Sequence, residues 1–155
     1  MVNRSKPRLI ACSILVVMWL AVIWGNSMTT GQVSGEFSGW ASRLLGKILP
    51  FLSPDSEYGH LLVRKLAHFS EFAILGILFR WFFAMLMEKR SLRFLLPLGC
   101  GMACAIIDEF IQSFTPDRVC SFWDMCIDWS GVLTGIGAFI LCQIIIGKCK
   151  KKALS

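Results

Sequence analysis

The sequence predicts an all-α fold: an integral membrane four-helix bundle with one short external amphipathic helix. Three observations lead there. Of 155 residues, 55% are hydrophobic and only 17% charged, too few charges for an ordinary soluble domain. The apolar residues gather into four long runs. The cations are segregated between the segments joining those runs. The length fits one compact unit, so residues 1–155 are read as a single membrane domain.

The spans are placed at about 9–24, 66–86, 94–112 and 123–146. A helical span needs roughly 17–25 residues. The first run is slightly short, but Arg8 can snorkel, and Trp19 and Trp24 suit an interfacial belt. Basic residues, an apolar stretch and then Gly25-Asn26-Ser27 also resemble a secretory signal. The run exceeds a usual signal core and no clear small-x-small site follows, so an uncleaved span is the better expectation.

Residues 25–63 form the long external loop. Within it Phe37, Trp40, Ala41, Leu44, Leu45, Ile48 and Leu49 recur at helical spacing, with Ser38, Ser42, Arg43 and Lys47 largely between them. This pattern predicts an amphipathic helix stopped by Pro50, lying on the outer leaflet or packed on the bundle. Pro54-Asp55-Ser56 reads as a turn. Glu88 to Arg93 is a tight basic turn. Pro97 falls early in the third span, where it costs little. Gly131 and Gly135 form a GxxxG, with Gly137 nearby, which permits close helix approach.

The net charge of +6 conceals an asymmetry. Arg4, Lys6, Arg8, Arg80, Lys89, Arg90, Arg93, Lys148, Lys150, Lys151 and Lys152 fall on one side, opposed only by Glu88. The positive-inside rule then places the chain in the plasma membrane as a multi-pass protein with both termini cytoplasmic. The basic excess is topological and predicts no nucleic-acid partner; the bilayer is the expected partner. The Lys148–Lys152 tail suits an anionic-lipid anchor. Seven cysteines make no CxxC or zinc pattern. Cys100 and Cys104 share a helix face and should pack; Cys120 and Cys126 lie where they can pair or stay free.

Ionisable residues interrupt the spans. With both termini inside, His68 and Glu71 begin the second span, Asp108, Glu109 and Gln112 end the third, and Asp124 and Asp128 begin the fourth. Arg64, Lys65 and Arg118 supply counter-charge at the same level. An Asp at mid-span costs roughly 2.5–3.5 kcal/mol on insertion scales, whereas a Leu returns roughly 0.3–0.6. Such acids should face a bundle interior or wet cleft, and an intramembrane ionisable group is a functional-site hypothesis by default. The ten residues Arg64, Lys65, His68, Glu71, Asp108, Glu109, Gln112, Arg118, Asp124 and Asp128 are therefore the candidate binding pocket. The bland readings stand beside it: an N-cap for Asp124, an interhelical hydrogen bond for His68, or a polar set that only clips helices together.

Two blocks resemble the VanZ-like family of small bacterial membrane proteins. The stretch from Arg64 through Lys65, His68, Phe69, Phe72 and Leu75 to Gly76 is similar to the family's basic-x-x-His-Phe-x-x-(Tyr/Phe)-x-x-Leu-Gly segment. Asp108-Glu109-Phe110-Ile111-Gln112, Pro116-Asp117-Arg118, then Asp124, Asp128 and Gly131 look like its Asp-Glu-x-x-Gln…Pro-Gly-Arg…Asp…(Asn/Asp)…Gly segment. Asp117 departs from the usual glycine, and Trp129 is bulkier than expected beside Asp128. The family takes its name from a protein that lowers susceptibility to teicoplanin, a lipidated glycopeptide, so the resemblance implies a cell-envelope role.

The first expectation is an accessory protein whose external pocket binds a lipid-linked polar headgroup, such as a cell-wall precursor, or a lipoglycopeptide. The alternative is an outer-leaflet hydrolase or transferase acting on a lipid-linked substrate. There His68 with Glu71 or Asp108 would form an acid–base pair, and carboxylate oxygens could hold a divalent metal. No nucleophile motif is present, and His-x-x-Glu is not the zinc-protease pattern. The leaning is away from an enzyme, with no cofactor and no metal ligand assigned.

Overall fold

The structure is a computed structural model that describes all residues except 1–5, 50–52, 54–58, 119 and 154–155. Among the described residues there are five helices and no strand: α1 (Lys6–Ser27), α2 (Gly31–Gly46), α3 (Gly59–Leu86), α4 (Leu92–Ser113) and α5 (Phe122–Ala153). All but α2 are long and apolar enough to cross a membrane. The shortest of these, at 22 residues, spans about 33 Å at 1.5 Å per residue, enough for a hydrocarbon core of about 30 Å.

The helices overrun the predicted spans, mostly at the polar ends. α1 takes in Lys6 and Gly25–Ser27, and α3 begins at Gly59, so the loop set at 25–63 is largely helical. Spans were bounded where hydropathy falls, but a helix continues while its backbone bonds are made. Arg4, Pro50, the Pro54-Asp55-Ser56 turn and Glu57 lie outside the described residues, as do the side chains of Lys151 and Lys152.

Helices α3 and α5 form the most extensive pairing, and their backbones approach through glycine. A Cβ on Gly131 would overlap the Phe69 carbonyl, one on Gly135 the Ala73 carbonyl, and one on Gly76 the Val132 carbonyl. The GxxxG thus packs one helix on the other, as small-residue motifs do in membranes. Gly137 faces open space and takes no part. Around this seam Ile23, Phe72, Leu75, Phe79, Cys104, Ala105, Val132 and Ile136 make the core, with Cys100 packed against it. All seven cysteines are free.

The outward faces are apolar. On α1, Ile10, Ile14, Val17 and Met18 are each more than half exposed, an arrangement that water disfavours and a lipid surround accommodates. α2 continues it in an unusual way. Among its described side chains Ser38 and Ser42 are buried, while Trp40, Leu44 and Ile48, just past its end, are exposed. The serine stripe faces α3 and the apolar stripe faces outward, so α2 packs on the bundle and presents its hydrophobic face away from it. α2 starts six residues before Phe37, with the Thr30 hydroxyl accepting from the Val33 amide. Gly31, Gly35 and Gly39 hid that start, because glycine lowers helix propensity by about 1 kcal/mol.

Toward the opposite end of α3, Arg80 is buried, with its guanidinium carbon 5.6 Å from the Phe139 ring centroid. It is a cation–π partner inside the bundle rather than a free interfacial charge.

Candidate functional site

The end of α1, the first half of α3, the end of α4 and the start of α5 meet at one level. Four antiparallel passes make this inevitable: each polar stretch sits at the same end of its helix. The ten sequence-predicted residues all lie there.

Asp108 is fully buried and held by two donors. The Ser27 hydroxyl donates to Oδ1 at 2.6 Å and the Gln112 amide to Oδ2 at 2.6 Å. Gln112 is one turn along α4, as the four-residue spacing requires. Glu109, about 100° round the helix, points elsewhere: its Oε2 accepts the Ser121 amide at 2.8 Å, just before α5. Glu109 therefore serves the amide at the N-cap position of α5, as the N3 acid of a capping box would. Asp124 is not that cap. It lies in the first turn of α5 and pairs with Lys65, Nζ to Oδ1 2.5 Å, both half exposed.

Glu71 faces α1, where its Oε1 accepts from the Asn26 amide at 2.7 Å, while the Trp19 indole donates to its backbone carbonyl at 2.9 Å. His68, one turn earlier, turns its Nδ1 toward two acids: Asp128 Oδ1 at 3.8 Å and Asp108 Oδ2 at 4.0 Å. Asp128 is 1% exposed, and neither of its oxygens has a hydrogen-bond partner among the described residues.

Arg118 reaches back from the α4–α5 loop to the end of α1. Its Nη2 donates to the Asn26 carbonyl at 3.2 Å and to the Thr29 hydroxyl at 3.4 Å, while Nε and Nη1 are buried without hydrogen-bond partners among the described residues. Burial and the neighbouring Arg64 push its pKa below the usual arginine value, against the pull of Asp108, Glu109 and Glu71. Asp117, where the family pattern has glycine, adopts a left-handed φ of 60°, so the turn is kept with a residue that tolerates it.

Two adjoining cavities open over these groups. A smaller one, about 150 Å³, is lined among others by Lys65, Glu109, Gln112, Asp124 and Asp128. A larger one, about 410 Å³, runs beneath α2 past Asn26, Ser34, Ser38, Trp40 and Glu71. Arg64, His68 and Arg118 line both.

Asn26, Ser27, Thr29 and Thr115 were not among the predicted residues. Thr115 is buried, and its hydroxyl donates to the Ser27 carbonyl at 3.1 Å. The available signal is Asn26-Ser27, one glycine after the last tryptophan of the first span, at the depth of Glu71.

A search among curated proteins found no match, and a search among solved structures found none. The family model described as VanZ/LLP1 matches residues 12–143, a stretch that holds α3 and α4 whole, most of α1 and α5, and every residue of the polar recess. With that match over most of its length, the chain belongs to the VanZ-like family of membrane proteins.

Proposed function

We propose that the chain is a bacterial plasma-membrane accessory protein that binds a lipid-linked polar headgroup, or a lipoglycopeptide of the teicoplanin type, in the recess above. Both termini lie in the cytoplasm and the recess opens at the outer leaflet, in keeping with the clustered cations of Lys89–Arg93 and Lys148–Lys152 at the other side. The observation that carries this reading is Arg118: a half-buried guanidinium, lining both cavities together with Arg64, with two nitrogens that have no hydrogen-bond partner among the described residues. A planar cation with unused donors matches phosphate or carboxylate. The exposed apolar face of α2, flanking the larger cavity, suits the acyl or polyprenyl tail of the same ligand.

The test is a susceptibility panel with teicoplanin and vancomycin in a strain lacking the protein, complemented at matched membrane abundance. Wild-type chain should protect against the lipidated drug, and Arg64→Ala and Arg118→Ala should lose that protection. Unchanged susceptibility in both variants, with the wild type protective, would sink the pocket reading.

The imidazole of His68 between two carboxylates favours a second reading, an outer-leaflet hydrolase or transferase using His68 as acid or base. Turnover of a lipid-linked pyrophosphate by purified chain, abolished in His68→Gln, distinguishes it. A polar set serving assembly alone predicts instead that Glu71→Gln and Asp108→Asn lose protein abundance in step with any phenotype.

A further inference from the structure

We propose that His68, Asp108 and Asp128 form a binding site for one first-row divalent cation, of the Mn²⁺ or Zn²⁺ class, on the floor of the recess. One ligand atom from each residue lies within 4.8 Å of the other two. The 3.8 and 4.0 Å separations from His68 Nδ1 are too long for hydrogen bonds, which end near 3.2 Å. They match ligand atoms facing each other across an ion: bonds of about 2.0–2.2 Å set such atoms about 3–4.4 Å apart. Closing the triangle on an ion takes movements of a few tenths of an ångström.

A second observation points the same way. The Asp128 carboxylate is 1% exposed and lines the smaller cavity, yet neither oxygen accepts a hydrogen bond among the described residues. A buried carboxylate without a partner is costly, and a cation is the most effective remedy. Asp108, by contrast, is already oriented by Ser27 and Gln112, as the carboxylates of metal sites are oriented by their outer partners. The three residues come from three helices, so the geometry is fixed by the bundle rather than by a loop. An imidazole in the set favours Zn²⁺ or Fe²⁺ over Mg²⁺ or Ca²⁺, and the two carboxylates suit Mn²⁺ as well. The cavity beside Asp128 leaves the remaining coordination positions to water or to an anionic oxygen.

The test uses full-length chain in detergent, stripped with EDTA and titrated with Mn²⁺ alone. Binding is followed by loss of the free-ion electron paramagnetic resonance signal. Mn²⁺ is chosen because free thiols compete poorly for it. Wild-type chain should take up one equivalent, and Zn²⁺ should displace it, as the order of divalent affinities requires. Asp128→Asn and His68→Gln should each weaken binding at least about tenfold. Among the described residues Asp128 makes no hydrogen bond, so its asparagine variant should keep the wild-type helicity and elution volume. If it does not fold, His68→Gln carries the comparison. No stoichiometric uptake by wild-type chain, or equal uptake by the folded variants, would overturn the proposal; the first result is what a proton shared between the two acids predicts. The titration contains no lipid headgroup, so its outcome is separate from that of the susceptibility panel.

Discussion

Ser27 and Asn26 carry much of the recess, although neither is ionisable. The Ser27–Asp108 bond satisfies one oxygen of a fully buried carboxylate. Ser27→Ala should therefore destabilise the chain by about 1–3 kcal/mol, the cost of an orphaned buried acceptor, read as a lower melting temperature in detergent. Asp117 offers a test of opposite sign. Its left-handed φ favours glycine, so Asp117→Gly should hold or raise stability, whereas Asp117→Val should cost about 1–2 kcal/mol in the same assay. At this scale the acids were legible because charge in an apolar run is conspicuous. Asn26, Ser27 and Thr115 were not, because small polar residues near a span end look like ordinary interface, and only the neighbouring helix reveals what they bond.

At the scale of elements, the α3–α5 seam and α2 make contrasting demands. Gly135 sits against the Ala73 carbonyl with no room for a methyl group. Gly135→Leu should separate the two helices and abolish folded, monodisperse protein on gel filtration, while Gly137→Leu should be tolerated because that position is open. For α2, Trp40 is 61% exposed on the apolar face. A variant retaining Trp40 as its sole tryptophan should show fluorescence quenched by brominated lipid; quenching by aqueous iodide instead would mean that the face meets water. The GxxxG was readable because its spacing is its mechanism. The direction in which α2 faces was not, since periodicity gives two faces without saying which one the bundle takes. The serines turn inward because α3 presents polar groups there, including Arg64 and Glu71 on the cavity wall.

For the whole molecule, the sequence carried the class of the fold and the level at which polar groups collect. Four apolar runs with alternating direction put His68, Asp108 and Asp128 at one end without any knowledge of packing angles. What remained hidden was azimuth, the rotation of each helix about its axis. That rotation decides that Asp108 meets Ser27 while Glu109 meets the Ser121 amide. The proposed orientation has its own check at this scale. An alkaline phosphatase fused after Ser155 should be inactive, and one inserted after Lys47 active, if the charge asymmetry sets the topology.

Arg118 braces the last turn of α1 through the Asn26 carbonyl, while two of its nitrogens make no hydrogen bond among the described residues. On the proposed reading one guanidinium is both rivet and receptor, so truncating it loosens the wall and removes the charge together. Lysine separates the duties: it keeps a cation but cannot fork its donors between helix end and ligand. An Arg118→Lys chain that melts like wild type yet no longer protects would locate the receptor duty in the fork itself.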